Sequence, residues 1–162
     1  MFRNAMLGFA LIGLAVSAPA GQGQDKKDAS DALKKDAEAL QGKWERVMTT
    51  ETSALGKAKR AVKEFKGDQE TVTWYDEKGE VIRSHRVTFK LSETGNVRVY
   101  TFSDMQLLDA EGKEKGPKDK ASYSTIYRLD GDKLVDAGGF IQGDAFRHSA
   151  PYFAEWKQVV DK

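Results

Sequence analysis

The side chains that most often carry out chemistry are scarce in this sequence. It contains two histidines, His85 and His148, and no cysteine. The histidines show neither the His-x-His nor the His-x-x-x-His spacing of a metal site. The lack of cysteine excludes thiol nucleophiles, cysteine-rich zinc sites and disulfides. We therefore expect no metal ion and no cofactor.

Carboxylates are the remaining candidates for acid–base catalysis. A cluster of them lies near the C-terminal end of the chain: Asp130, Asp132, Asp136 and Asp144. Paired carboxylates can hydrolyse a glycosidic bond, but aspartates beside glycine usually form turns. The serines lack a Gly-x-Ser-x-Gly elbow, and the chain has no phosphate-binding glycine motif. These patterns predict that the protein is not an enzyme, and a hydrolase is the least favoured interpretation.

Aromatic side chains are the best candidates for a binding site. Many of them fall in short segments with the alternation of β-strands, which turns about half of such residues toward the interior of a barrel. The inward rings either fill the core or line a cavity for a small apolar ligand, and the sequence leaves both alternatives open. The residues that we expect to contact a ligand are Trp74, Arg83, Phe89, Tyr100, Tyr123 and Tyr127.

Short strands separated by tight turns must position these side chains. Residues 29–40 favour a helix with Leu33, Ala37 and Leu40 on one face. The segments predicted to be strands are 43–51, 60–66, 70–76, 80–91, 97–102, 122–129, 133–137 and 152–160, with short β pieces at 140–141 and 145–147. A helix is the alternative for residues 53–65, and residues 107–120 are predicted to form a mobile loop. The fold class is therefore all-β, an antiparallel up-and-down barrel or a sandwich.

The N-terminal segment has the pattern of a secretory signal peptide. Arg3 supplies a positive charge, residues 6–16 are apolar but too few to span a bilayer, and Ala18 and Ala20 are the small residues expected before a cleavage site. The sequence predicts a signal peptide at 1–20, a linker at 21–28 and a barrel domain at 29–162. After cleavage the protein would be secreted or periplasmic and not transmembrane. The alternative is an uncleaved N-terminal anchor.

Charge is nearly balanced and well mixed along the chain. There are 26 lysines and arginines against 25 aspartates and glutamates, and charged residues make up 31% of the sequence. No basic stripe with interleaved aromatic residues is present, so nucleic acid is not an expected partner. The charged segment 111–120 is either solvated or a contact site for an acidic or polysaccharide partner at the cell surface.

Two motifs carry a resemblance to a known family. Residues 40–44 are Leu-Gln-Gly-Lys-Trp, and residues 126–134 are Ile-Tyr-Arg-Leu-Asp-Gly-Asp-Lys-Leu. Over about residues 36–160, the sequence resembles a family of secreted planctomycete proteins of unknown function. That family is lipocalin-like, within the calycin group of ligand-holding barrels. The resemblance implies an antiparallel up-and-down barrel with a short N-terminal helix.

The same resemblance implies structural roles for particular residues. Trp44 is expected to plug the closed end of the barrel beneath a cation, and Gly42 to allow a close backbone approach. Gly131 is expected to form a hairpin turn. True lipocalins place an arginine of the last strand over this tryptophan. The last strand here has no arginine, so Arg147 or Arg128 is expected to take that role.

Together these features predict a secreted binding protein without enzymatic activity. A small apolar molecule would lie in the open end of the barrel, opposite Trp44, with tyrosine hydroxyls and Arg83 or Arg128 setting its orientation. The alternative is a filled barrel that serves as a cell-envelope module and binds a protein or a glycan through an exposed apolar patch.

Overall fold

The structure is a computed structural model that describes residues 22–48, 58–141 and 151–160, with side chains from residue 31 onward. Its elements in chain order are α1 (Gln22–Ala39), β1 (Gly42–Arg46), β2 (Arg60–Lys66), β3 (Gln69–Tyr75), β4 (Val81–Thr94), β5 (Val97–Leu108), β6 (Glu114–Asp119), β7 (Tyr123–Asp130), β8 (Lys133–Gly138) and β9 (Tyr152–Val159). The signal peptide predicted at 1–20, the β piece predicted at 145–147, and both Arg147 and His148 lie outside the described residues.

Eight antiparallel strands close into the predicted up-and-down, lipocalin-like barrel. Around the barrel the order is β1, β2, β3, β4, β5, β7, β8 and β9, and β9 pairs with β1 to complete the circle. Strand β6 pairs with the second half of β5 and lies in line with β7, which pairs with the first half. The fold class predicted from alternation and turn spacing is confirmed.

The core forms because inward and outward side chains alternate along each strand. On β4, Val87 and Phe89 are buried whereas Lys90 is exposed, as the sequence predicts. Cross-strand partners in an antiparallel sheet share a face, so the pairing of Phe89 with Phe102 carries the inner surface from β4 to β5. The main buried cluster consists of Leu40, Trp44, Ala61, Phe65, Val72, Phe89, Tyr100, Tyr127, Leu134, Ala154 and Trp156.

Strand β5 extends beyond its predicted end and contains a β-bulge, which bends the strand. The register with β4 shifts between Arg86 and Thr88, and on β5 the backbone of Asp104 has φ 55°. Beyond the bulge, β5 continues to Leu108 and returns as β6, so the mobile loop predicted at 107–120 is wrong. Gly116 and Pro117, residue types that are uncommon within strands, prevented β6 from being recognised in the sequence. An edge strand tolerates both, because proline's missing N–H is lost only from the unpaired side.

Helix α1 begins at Gln22 rather than Ala29, so it includes most of the segment 21–28 interpreted as a linker. Its C-terminal half lies against one end of the barrel. There, the Tyr127 hydroxyl donates a hydrogen bond to Asp36 Oδ2 at 2.8 Å, and Arg98 Nη1 lies 3.5 Å from the same oxygen. Within the described residues, no helix is long and apolar enough to cross a membrane.

Of three other predicted segments, one agrees with the structure and two differ from it. The strand at 60–66 is confirmed, and it follows a stretch of which residues 53–57 lie outside the description. The β piece predicted at 140–141 is wrong, because β8 ends at Gly138 and the next residue, Gly139, turns the chain with φ 82°. Strand β1 ends at Arg46, although the N–H of Val47 still donates to the Glu155 carbonyl at 2.8 Å.

Candidate functional site

The end of the barrel next to α1 is closed. Trp44 is fully buried at 0% exposure, and its Nε1 donates to the Leu40 carbonyl at 2.8 Å, which ties the tryptophan to the end of the helix. Gly42 has φ 99°, but a side chain at this position would meet no atom within 4 Å. Gly42 is therefore needed for its backbone conformation rather than for the close approach that the resemblance implies. Gly131 forms the β7–β8 hairpin turn with φ 59°.

The cation expected over Trp44 lies elsewhere in the described structure. Lys63 Nζ is 4.4 Å from the ring centroid of Trp156, on the strand next to β1. Arg128 is exposed and points away from the interior, near Asp130, so it covers no tryptophan and cannot orient a ligand inside the barrel. Both predicted roles for Arg128 are wrong, and Arg147 lies outside the described residues.

The middle of the barrel is filled by a buried charged cluster, which we call the Lys63 cluster and define as Lys63, Glu70, Tyr100, Asp136 and Trp156. Lys63 Nζ lies 3.0 Å from Asp136 Oδ2 and 3.5 Å from Glu70 Oε2. Trp156 Nε1 donates to Asp136 Oδ2 at 2.8 Å, and the Tyr100 hydroxyl donates to Glu70 Oε2. Every polar group of the cluster therefore has a partner, as burial requires.

Burial and pairing compete in setting the charges of this cluster. Burial lowers the pKa of Lys63, but the attraction of Asp136 and Glu70 outweighs it and leaves that pKa raised, so the lysine is charged. Burial raises the pKa of Glu70 above its ordinary value, against the opposing effects of Lys63 and Tyr100. Burial and the neighbouring Glu70 also raise the pKa of the Tyr100 hydroxyl.

The Lys63 cluster was not predicted from the sequence, although a signal for it was present. Lys63 lies two residues from Phe65 and two from Ala61, and Asp136 lies two residues from Leu134. Alternation alone therefore placed these charged residues on the inner face of predicted strands. Their mutual contact could not be foreseen, because it joins residues 73 positions apart across the closed barrel.

All the residues predicted to bind a ligand face the interior, but three lie in the core and three lie near the helix-distal end. Phe89, Tyr100 and Tyr127 belong to the buried core cluster, which gives them a structural part. Trp74 and Arg83 are cross-strand partners near the end away from the helix, and Tyr123 lies at that end too. The structure therefore brings Trp74, Arg83 and Tyr123 to the barrel end opposite Trp44.

The hydroxyl groups of the predicted tyrosines are already engaged within the protein. Each donates a hydrogen bond to a carboxylate, Tyr100 to Glu70, Tyr123 to Asp119 and Tyr127 to Asp36. Hydrogen bonding to Asp119 raises the pKa of Tyr123, and burial raises that of Tyr127. Their protons are therefore not available to orient a ligand.

At the helix-distal end an inward apolar side chain is more exposed than Leu91 and Leu129, the partly buried inward leucines nearer the helix. Leu107 pairs with His85 and so faces inward, yet it is 42% exposed. Phe102 and Tyr123 stack with ring centroids 5.2 Å apart, and both are only partly buried, as is Trp74. We call this surface, formed by Trp74, Phe102, Leu107 and Tyr123, the distal aromatic surface.

Basic nitrogen groups border the distal aromatic surface. The Arg83 guanidinium lies 5.9 Å from the Trp74 ring centroid, and the His85 ring lies 5.1 Å from it. Burial, with repulsion from Arg83 and Lys63, lowers the pKa of His85 to about 3, so the imidazole is neutral. Its Nδ1 is buried without a hydrogen-bond partner in the described structure, and so is Arg46 Nε.

Two grooves in the described structure lie away from the distal aromatic surface. One of about 610 Å³ runs between α1 and β4 and includes Leu33, Ala37, Phe89 and Leu91 among its lining residues. The other, of about 530 Å³, is lined by outward side chains of β2 to β5, such as Thr71, Thr73 and Arg86. Among the described residues, no group of three or more His, Cys, Asp or Glu side chains could hold a metal ion.

Comparison with known proteins found no match. The chain matches no protein-family model, no curated protein and no solved structure.

Proposed function

We propose that this protein is a lipocalin-like binding protein without enzymatic activity, which holds a small, largely apolar molecule on the distal aromatic surface. The observation that carries the proposal is the exposure of an inward apolar side chain at the barrel end opposite the helix, whereas the buried Trp44 fills the other end. That side chain is Leu107, at 42% exposure. Covering such surface with a ligand yields about 25 cal/mol per Å² of apolar area removed from water.

The depth of the site follows from the Lys63 cluster. Because that cluster fills the middle of the barrel, a ligand would rest above Trp156 and would not reach the core around Trp44. A shallow site favours a small ligand, which is held by rings on β3, β5 and β7.

Export is part of this proposal. Residues 1–20 have the composition of a signal peptide, which fits a secreted or periplasmic protein. A lipocalin-like barrel is also the fold implied by the resemblance to the secreted planctomycete family, and the sealed Trp44 end agrees with it.

A titration with a neutral fluorescent probe, N-phenyl-1-naphthylamine, tests the proposal. The wild-type protein should bind the probe saturably, and Trp74→Ala should raise the Kd about tenfold or more, because the probe loses the largest ring of the surface. The matched control is Tyr75→Ala, which removes the next aromatic residue along β3. Tyr75 faces outward beneath Arg60, so this change should leave the Kd unaltered.

Absence of saturable binding, or an equal loss in both variants, would overturn the proposal. That outcome would favour a second candidate, a filled barrel that binds an envelope protein or a glycan through its outer face. The observation behind the second candidate is an exposed aromatic pair, Phe140 and Phe153, whose ring centroids are 5.7 Å apart at 49% and 65% exposure.

A further inference from the structure

The arginines of the described chain fall into two groups. Arg60, Arg86, Arg98 and Arg128 each lie within 3.9 Å of a carboxylate oxygen. Arg46 and Arg83 have no such ion pair in the described structure. Both face the barrel interior toward its helix-distal end, Arg46 opposite Trp156 in the register and Arg83 opposite Trp74.

These two guanidinium groups rest on aromatic rings instead of carboxylates. Arg46 lies 5.9 Å from the Trp156 ring centroid, and Arg83 lies 5.9 Å from that of Trp74. A ring face attracts the charge but accepts few of the N–H bonds that a guanidinium can donate. The buried Arg46 Nε, which has no hydrogen-bond partner, shows that this capacity is unused.

Among the residues described at this end no carboxylate is buried, and Asp119, which accepts from the Tyr123 hydroxyl, is exposed. The buried acids of the interior, Glu70 and Asp136, are already shared with Lys63 in the middle of the barrel. The neighbouring His85 is neutral and buried, at 8% exposure, and its Nδ1 has no hydrogen-bond partner in the described structure. The helix-distal interior therefore carries excess positive charge and unused polar nitrogens beside an apolar surface.

We propose that the ligand carries an anionic group, a planar oxyanion such as a carboxylate, which binds the Arg83 guanidinium while the apolar body covers the distal aromatic surface. Arg83 is the anchor because its side chain is exposed to an incoming ligand and stands against Trp74. Its flat fork of donors fits the two oxygens of a carboxylate. Arg46, deeper beside Trp156, adds to the positive field. This inference deepens the proposed function and depends on it.

Probes that share one apolar chain and differ in head-group charge test the inference. The set is octanoate, octan-1-ol and octyltrimethylammonium, each used at pH 7.5 to displace the neutral fluorescent probe. Octanoate should bind at least tenfold more tightly than octan-1-ol, and octyltrimethylammonium should bind most weakly. This comparison uses the wild-type protein alone, so it does not depend on the folding of a variant.

A variant pair assigns the charge preference to Arg83. Arg83→Gln should remove the tenfold advantage of octanoate over octan-1-ol, and Arg83→Lys should restore part of it. Arg128→Gln removes an exposed arginine of the outer face and should change neither affinity.

The possible failures are distinguishable. If the neutral probe binds but octanoate has no advantage over octan-1-ol, the anionic ligand is excluded while the binding function stands. If Arg83→Gln keeps the full advantage, Arg83 is not the anchor of the anionic group, and the inference fails at that residue while the binding function stands. If the neutral probe itself does not bind, both proposals fail.

Discussion

At the scale of single residues, the most consequential feature is a lysine that holds two carboxylates inside a barrel. Lys63 is the only cation among the members of its cluster, and it lies between Asp136 and Glu70 with Trp156 beneath it. An ion pair of this kind does not by itself add much stability, because all three groups lose their hydration. Removing the lysine alone is strongly destabilising, because the two carboxylates that remain stay buried and cannot be hydrated.

Replacing Lys63 should therefore destabilise the protein strongly. We expect Lys63→Met to reduce the free energy of unfolding by about 3–5 kcal/mol, the usual cost of stranding a buried charge. The triple variant Lys63→Met, Glu70→Gln, Asp136→Asn should lose less, because its amides still accept from Tyr100 and Trp156 without charge. Urea unfolding of the three proteins measures both effects. A cost below about 1 kcal/mol for the single variant would contradict the buried cluster.

At the scale of elements, Asp36 provides a polar contact between the described part of α1 and the barrel. Its carboxylate accepts from the Tyr127 hydroxyl at 2.8 Å and lies 3.5 Å from Arg98. Beside this contact, a groove separates α1 from β4. The attachment of α1 should therefore depend on this side chain in addition to Leu40, which is fully buried in the core just after the helix.

Removal of that side chain should loosen the helix from the barrel. We expect Asp36→Ala to lower the protection of α1 amides against hydrogen exchange and to reduce stability by about 1–2 kcal/mol. Asp31→Ala is the matched control, because it makes the same change in helix propensity at a site whose ion pair among the described residues is with Lys34, 3.6 Å away on the helix surface. Equal protection in both variants would show that the carboxylate of Asp36 does not fasten α1.

The sequence predicted most elements, and its failures have physical causes. Alternation revealed β4, on which Val87 and Phe89 are buried, and β-branched and aromatic residues revealed β3. Strand β6 was missed because all of its residues are exposed, so no periodicity marked it. The bulge at Asp104 was also invisible, since its backbone conformation depends on the pairing with β4. For the site, Trp74, Arg83 and Tyr123 were placed by alternation, whereas Arg46 and the Lys63 cluster required the closed register.

At the scale of the whole molecule, acid should weaken the fold through His85. Its pKa is lowered to about 3 by burial and by the charges of Arg83 and Lys63, against about 6.5 in the unfolded chain. The unfolded state therefore binds a proton first as the pH falls, so the stability present above pH 6.5 is lost progressively toward pH 3. Between pH 7 and pH 5 this loss should be about 2 kcal/mol.

The variant His85→Gln isolates this effect. Glu70 acts in the opposite direction, since its raised pKa lets the folded state bind a proton first, but it is present in both proteins. Urea unfolding at pH 7 and pH 5 should show the wild type losing about 2 kcal/mol more than the variant. An identical pH dependence in the two proteins would contradict a buried, neutral His85.

Barrel closure has a consequence for how this protein behaves at high concentration. Every described strand is hydrogen-bonded on both sides except β6, which pairs only with β5 and leaves its outer backbone groups open. An open edge invites pairing with another chain and growth of aggregates. In β6 that edge carries Glu114, Lys115, Lys118 and Asp119 around Pro117. Its charges and its proline, which made the strand unrecognisable in the sequence, are the features that keep a β-edge from recruiting further copies.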